Sequence, residues 1–203
     1  MAYEHDLFIS YRRNDETRTW IKDHFIPLLR LRVEMELDRC PVIFLDEQID
    51  SGRSWPQELG TALGRSRGMI VLWSGNYLAS TWCATELSVM LARERACRLR
   101  SNARPDGLVI PAFIHDGDKF PPALQHIQRF EIQQTFNVRM ARNSPRAEEL
   151  DVALGQQAPA IASAIRNAPP WRARWPEEAA ERIFETFYQR GRPVQRDVPR
   201  FAA

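Results

Sequence analysis

The sequence predicts an α/β fold built on a central, mainly parallel sheet. Apolar runs of strand length alternate along the chain with longer segments of helical period, a pattern typical of α/β domains. The run at 69–73 is apolar at every position, as expected for a strand that helices cover on both faces. The chain has 203 residues, 44% of them hydrophobic, so it has enough apolar mass for a domain with a buried core.

The first part of the chain predicts two strands, each followed by a helix. The first strand is expected at 7–11, and Asp15 is predicted to cap the helix that follows it. Apolar residues recur in this helix at helical spacing: Trp20, Ile21, Phe25, Leu28 and Leu29. A second strand is predicted at 42–45 and a loop at 46–54. A helix is then expected to start at Trp55, because the proline after it is tolerated in a first turn.

The second part of the chain predicts three more strands and two more helices. After the strand at 69–73, Ser80 or Thr81 can cap a third helix. Its inner side carries the large apolar residues Trp82, Cys83, Leu87, Met90 and Leu91. The remaining elements are a strand at 108–114, a short strand at 130–132 and a last helix at about 145–165.

A proline pair, Pro169-Pro170, predicts a boundary near the carboxyl end of the chain. Residues 176–188 beyond it form a short amphipathic pattern, followed by a tail rich in proline and arginine. We therefore expect a domain at 1–167 and an extension with a short helix at 168–203.

Composition argues against several classes of protein. The net charge of +2 is too small to indicate a nucleic-acid partner. The apolar runs are shorter than the roughly 20 residues of a membrane helix, and the first residues lack the pattern of a secretory signal. We therefore expect a cytoplasmic protein without a membrane partner. Three cysteines without CxxC spacing argue against a disulfide framework or a zinc site and are interpreted as small core residues.

The predicted topology indicates where a ligand would bind. In an open parallel sheet, ligands bind beyond the carboxyl ends of the strands, where the strand order reverses. If the order is the flavodoxin-like 2-1-3-4-5, that point lies between the first and third strands. The segments beside it are 11–15, 74–86 and the loop at 46–54.

Trp82 and Glu86 are the first candidates for this crevice. They are four residues apart on the third predicted helix and so share one face, near the start of that helix. A carboxylate beside an indole can hold a sugar while the indole stacks on a base. Alternatively, Trp82 packs in the core and Glu86 is a favourable charge near a helix N-terminus.

Other chemical motifs are weak or missing. Arg12 and Arg13 can neutralise a phosphate or can be ordinary surface residues. The four histidines have no spacing suited to metal binding, and no nucleophile–histidine set is visible. The phosphate-loop patterns GxGxxG and GxxxxGK[ST] are both absent.

Four segments together resemble the Toll/interleukin-1 receptor (TIR) domain family. They are DLFISYRRND at 6–15, VIFLDEQIDSGRSW at 42–55, MIVLWSGNYLASTWCATEL at 69–87 and LVIPAFI at 108–114. The second is similar to the strand and "BB loop" of the family. The third has the SxxYLxSxWCxxEL pattern of its plant and bacterial members. The resemblance covers about 5–165.

The resemblance implies a three-layer, flavodoxin-like α/β fold with a five-stranded parallel sheet of order 2-1-3-4-5. It also implies one of two activities, cleavage of the nicotinamide–ribose bond of NAD⁺ or signalling by TIR–TIR self-association. The Trp82–Glu86 pair matches the motif of the NAD-cleaving members, in which the glutamate is catalytic. The same resemblance implies that several residues bind the substrate: Trp82, Ser74, Tyr11, Arg12, Arg13 and Asp46.

The BB loop implies an assembly surface, for which the resemblance indicates Asp50, Gly52, Arg53 and Trp55. Arg53-Ser54-Trp55 follows the glycine where receptor loops have Pro-Gly, so docking of the receptor type is not expected.

The preferred expectation is a bacterial NAD⁺ nucleosidase of antiphage defence. NAD⁺ is its substrate, no cofactor or metal is needed, and its partners are further TIR domains and a larger defence complex or fused domain. The first alternative is a non-catalytic TIR scaffold. The second is a receiver domain, which is disfavoured because such domains need a lysine after the fifth strand, and the last lysine here is Lys119.

Overall fold

Five parallel strands form the central sheet in a computed structural model, which describes residues 2–45 and 55–173. The strands are β1 (His5–Tyr11), β2 (Ile43–Phe44), β3 (Ser66–Trp73), β4 (Val109–Phe113) and β5 (Phe130–Glu131). Their spatial order is β2-β1-β3-β4-β5, and every neighbouring pair is parallel. The predicted flavodoxin-like α/β fold is therefore confirmed.

Successive side chains of the central strands point into two separate apolar cores. On β3, Ile70 and Leu72 belong to the first core cluster, whereas Met69, Val71 and Trp73 belong to the second. This alternation follows from the pleat of a strand, which sends neighbouring side chains to opposite faces. The uninterrupted apolar run at 69–73 thus reflects burial on both faces, as the sequence predicts.

Helices cover both faces of the sheet. The first core cluster lies beneath α1 (Asp15–Trp20), α2 (Ile26–Leu37) and α5 (Pro145–Arg166). The second lies beneath α3 (Trp55–Gly64) and α4 (Thr81–Ala96). The result is a three-layer arrangement in which α4 rests on the face of the sheet opposite to α2 and α5.

The first predicted helix differs from the expectation in its cap. Asn14, not Asp15, is the N-cap, because its extended backbone lets its side chain accept a hydrogen bond from the Thr17 N–H at 2.6 Å. Asp15 is the first helical residue, where its charge suits the helix N-terminus. A π-helical turn at Ile21–Phe25 joins α1 to α2, which continues to Leu37.

Other predicted boundaries shift by a few residues. β2 contains only Ile43–Phe44 of the predicted 42–45, and β3 starts three residues earlier than predicted, at Ser66. The cysteine prediction is wrong for Cys40, which is exposed; Cys83 is buried and Cys97 is intermediate. The amphipathic segment predicted at 176–188 lies outside the described residues.

A buried carboxylate connects the end of α4 to the start of β4. Glu94 is 4% exposed and accepts hydrogen bonds from the N–H groups of Leu108 at 2.5 Å and Val109 at 2.8 Å. The guanidinium of Arg100 donates to the same carboxylate through Nε at 2.9 Å and Nη2 at 3.0 Å. Because four donors converge on it, the charge is compensated although it is buried.

A second buried carboxylate lies at the start of β1 and connects this strand to the segment before β2 and to β3. Asp6 is 4% exposed, and Arg39 bonds both of its oxygens at 2.7 Å. The Val42 N–H donates to it at 2.9 Å, and Arg67 lies 3.3 Å away. Burial alone would raise the pKa of Asp6, but the bonds from Arg39 and Val42 and the charge of Arg67 together hold it below its ordinary value.

Replacing Glu94 by alanine is expected to lower the free energy of unfolding by about 3–5 kcal/mol, because it leaves a partly buried guanidinium and two N–H groups without their acceptor. Urea denaturation monitored by circular dichroism measures the change. Arg95→Ala, an exposed change on the same helix, is the control and should stay within about 0.5 kcal/mol of wild type. Equal stabilities for the two variants would contradict the anchoring role of Glu94.

Replacing Asp6 by asparagine is expected to cost about 2 kcal/mol at pH 7 and progressively less in acid. The pKa of Asp6 is lower in the native state than in the unfolded state, where it is about 3.9. Its contribution to the free energy of unfolding is therefore fully present at pH values above about 3.9. This contribution is lost as the pH falls through the native value. Urea unfolding at pH 7 and pH 3 tests this, with the exposed Asp23→Asn as control. A gap to wild type that is equally wide at both pH values would refute the prediction.

Candidate functional site

The strand order reverses between β1 and β3, which are direct neighbours in the sheet. Their register pairs Ser10 with Val71 and Tyr11 with Leu72, so both strands reach the same carboxyl edge. From there the chain leaves β1 toward α1 and leaves β3 toward α4. In an open parallel sheet ligands bind where the chain diverges in this way, and this is the place that the sequence predicts for the site.

Short contacts join the segments that leave these two strands. The Arg12 guanidinium donates to the carbonyl oxygen of Asn76 at 3.2 Å. The Ser74 hydroxyl donates to the side-chain oxygen of Asn76 at 2.9 Å. The Cys83 thiol lies 3.3 Å from the carbonyl oxygen of Tyr11. The segment after β1, the turn after β3 and the first turn of α4 therefore form one connected rim.

Ser80 determines where α4 begins. Its backbone is extended, with φ −86° and ψ 119°, and its side chain accepts a hydrogen bond from the Cys83 N–H at 3.4 Å. Ser80 was one of the two caps predicted from the sequence, and α4 then starts at Thr81. Within α4, Cys83 and Glu86 are buried, and both contact β1.

Glu86 is a buried carboxylate directly above β1. Its side chain is 7% exposed, and its Oε2 accepts a hydrogen bond from the Ser10 hydroxyl at 2.5 Å. Ser10 lies 2.5 Å from the Tyr77 hydroxyl, which is 3.2 Å from the carbonyl oxygen of Cys83. Three polar side chains from β1, the turn after β3 and α4 thus meet inside an otherwise apolar core layer.

The structure brings most of the described candidate residues to this rim. Trp82 is half-buried and packs against the second core cluster, one turn before Glu86 on the same helix. Ser74 and Arg12 are half-buried, and Arg13 is exposed. The alternative of core packing thus holds in part for Trp82, which keeps some of its surface open to solvent.

Tyr11 is the exception among the described candidates. It is 4% exposed and belongs to the first core cluster, on the face of the sheet opposite to α4. The strand pleat explains this, because Ser10 and Tyr11 are adjacent and must point to opposite faces. The structure therefore does not bring the Tyr11 side chain into the group around Glu86; its carbonyl oxygen is the part that contacts α4.

The predictions for the BB loop concern residues between 46 and 55. Asp46, Asp50, Gly52 and Arg53 lie outside the described residues. Trp55 starts α3, and its side chain lies outside the described part as well.

Ser10 and Tyr77 are the residues around Glu86 that sequence analysis missed. A signal was present for Ser10, a polar residue inside the apolar strand LFISY, where burial on both faces requires a partner for its hydroxyl. Tyr77 stands in a turn, and no local pattern indicates that it reaches β1.

Two further properties concern the described residues as a whole. No cluster of three or more histidine, cysteine, aspartate or glutamate side chains in 2–45 and 55–173 is arranged to hold a metal ion. In the same ranges, no helix combines the length and apolar character needed to span a bilayer. At the carboxyl edge of β1 and β3, the described residues include the Glu86 carboxylate, with Trp82 one turn before it on α4 and Arg12 and Arg13 on the segment after β1.

Several known proteins are similar to this chain in sequence. The TIR domain family model matches residues 7–150. SUPPRESSOR OF npr1-1, CONSTITUTIVE 1 of Arabidopsis thaliana is 34% identical over 111 residues, 55% of this chain and 6% of that protein. Disease resistance protein RUN1 of Vitis rotundifolia is 30% identical over 111 residues, 55% of this chain and 7% of that protein.

Among solved structures, the TIR domain of the Toll-related receptor TRR-2 from Hydra magnipapillata is similar to this chain. It has a TM-score of 0.46 and 17% identity, over 65% of this chain and 91% of that one. The plant relatives are far longer than this chain, which spans 6% and 7% of their lengths. Because the family model matches more than half of its residues, the chain belongs to the TIR domain family.

Proposed function

We propose that this TIR domain cleaves the nicotinamide–ribose bond of NAD⁺, with Glu86 as the catalytic residue. The bond to nicotinamide breaks, and water adds to the anomeric carbon and loses a proton to give ADP-ribose. Where a nucleophile of NAD⁺ itself or of another molecule adds in place of water, the product is a cyclic or conjugated form of ADP-ribose. The observation that carries the proposal is the buried Glu86 carboxylate at the switch point, held by Ser10 one turn beyond Trp82. A tryptophan followed four residues later by a glutamate is the motif of the NAD-cleaving members that the sequence resembles.

The chemistry needs few groups, which agrees with the small polar set around Glu86. Nicotinamide leaves a pyridinium cation as a neutral molecule, so no general acid has to protonate it. Ordinary glycosides differ, since one carboxylic acid must protonate their leaving group. What remains is to stabilise positive charge on the ribose and to hold the ribose in place.

One fixed carboxylate can perform both tasks. As the glycosidic bond lengthens, positive charge develops at the anomeric carbon, and a nearby carboxylate lowers the energy of that state. The same carboxylate can accept a hydrogen bond from a ribose hydroxyl and so orient the sugar. Because Ser10 already bonds Oε2, the carboxylate is fixed before substrate arrives.

Other rim residues are proposed to bind the rest of NAD⁺. Trp82 shapes the pocket with its solvent-facing surface, and Ser74 lines the side nearest the nicotinamide ribose. Arg12 and Arg13 lie near the diphosphate, because a guanidinium pairs well with phosphate oxygens. Asp46 is proposed to contact substrate from the BB loop. No separate cofactor is required, since NAD⁺ is the substrate.

An immune role with self-association is part of the same proposal. The name of one plant relative, a disease resistance protein, supports a role in immunity. We propose bacterial antiphage defence in the cytoplasm as the setting. Assembly would occur between TIR domains through the BB loop (Asp50, Gly52, Arg53 and Trp55) and with a larger defence complex or fused domain.

Replacing Glu86 by glutamine is expected to reduce nicotinamide release from NAD⁺ by on the order of 100-fold or more, because the variant loses the negative charge but keeps the shape. Chromatography of the reaction mixture measures nicotinamide and identifies the second product. The assay is run at high protein concentration with a crowding agent, so that self-association is favoured.

The matched control is Glu148→Gln, the same change at an exposed position of α5, which should react at the wild-type rate. Equal rates for wild type and Glu86→Gln would contradict the catalytic assignment. Assembly of the wild type without nicotinamide release would instead favour the alternative of a non-catalytic TIR scaffold.

A further inference from the structure

Ser10 occupies an unusual position for a hydroxyl group. It is 1% exposed on β1, and its side chain points into the second core layer, where its neighbour on the same face is Phe8. A buried hydroxyl without partners costs free energy, so its contacts must be accounted for. Its Oγ lies 2.5 Å from Glu86 Oε2 and 2.5 Å from Tyr77 Oη.

The chemistry of the three groups decides the direction of both hydrogen bonds. The Ser10 hydroxyl donates to Glu86 Oε2, and this bond uses the single proton that a serine hydroxyl has. Ser10 then accepts from Tyr77, whose single proton faces both Ser10 Oγ and the carbonyl oxygen of Cys83. Burial, with the nearby Cys83 and Glu86, raises the pKa of Tyr77 well above its ordinary value, so this donor stays protonated.

Tyr77 is itself held firmly. Its side chain is fully buried, and its ring lies 5.3 Å from the ring of Trp73 in a tilted arrangement. Its hydroxyl also lies 3.2 Å from the Cys83 carbonyl oxygen, on the same helix as Glu86. The phenol therefore has little freedom to turn away from Ser10, and a chain of donors runs from Tyr77 through Ser10 to the carboxylate.

We infer that Ser10 is a positioning residue for Glu86, and that Tyr77 fixes Ser10 in its turn. The inference rests on the proposed function, since it assigns Ser10 and Tyr77 to the reaction carried out by Glu86. Ser10 holds Oε2 so that the carboxylate meets the ribose in one orientation and does not have to reorganise during bond cleavage. Neither residue touches the substrate in this scheme.

Nicotinamide release with kcat and KM determined separately is the first test. Ser10→Ala is expected to lower kcat by about 10- to 100-fold while KM for NAD⁺ changes by less than about twofold, since the lost bond acts on the reacting state. Ser10→Thr keeps the hydroxyl and should recover most of the rate. Tyr77→Phe keeps the ring and should lower kcat by a smaller factor, at least about twofold.

The matched control is Ser88→Ala. Ser88 lies on α4, and its buried hydroxyl donates to the Ala84 carbonyl at 2.7 Å and not to Glu86. Its kcat should equal that of wild type. If Ser10→Ala turns over at the wild-type rate, or if Ser88→Ala loses as much activity, the inference is overturned while the proposed function stands.

A double-mutant cycle between Ser10 and Glu86 tests the contact without requiring activity. The urea midpoints of Ser10→Ala, Glu86→Gln and the double variant should be non-additive, whereas those of Ser88→Ala with Glu86→Gln should add. Additive midpoints for the first pair would overturn the inference. If the midpoints are non-additive but wild type and Glu86→Gln release no nicotinamide at all, the proposed function fails, and the positioning role fails with it.

Discussion

The sheet is buried on both of its faces, and this burial governs which side chains its strands can carry. Because helices cover both faces of a parallel sheet, a polar side chain on one of its inner strands cannot reach water. Such a side chain must therefore form its hydrogen bonds inside the protein. The core strands are accordingly apolar almost throughout, with Ile70, Leu72 and Trp73 all at most 1% exposed. A polar residue in this environment is therefore informative, and Ser10 is such a residue.

The described buried carboxylates lie at opposite edges of the sheet. Asp6 and Glu94 lie at or near the amino ends of strands, and an arginine bonds each of them, together with one backbone N–H at Asp6 and two at Glu94. These arrangements connect elements and stabilise the fold. Glu86 lies at the carboxyl edge, where the Ser10 hydroxyl donates to it. This is the edge at which the proposed chemistry takes place.

Packing between α4 and β1 connects fold to site. The cap at Ser80 sets where the helix begins, and the contact between Cys83 and Tyr11 sets how closely its first turn approaches the strand. Glu86 follows one turn later and therefore meets Ser10. The position of the Glu86 carboxylate depends on the whole α4–β1 interface. A change in the helix cap would therefore also displace this carboxylate.

Local patterns along the chain were enough to predict the alternation of strands and helices, the burial of 69–73 and the shared face of Trp82 and Glu86. These properties depend on spacing along a few turns of chain, which periodicity reports directly. The bond from Ser10 to the carboxylate of Glu86, 76 residues away, follows only from the folded arrangement, as does the place of Tyr11 in the core on the face opposite to α4. Such contacts depend on how a helix is rotated and seated on the sheet. Side chains distant in sequence meet only when the core packs, and no local pattern encodes that register.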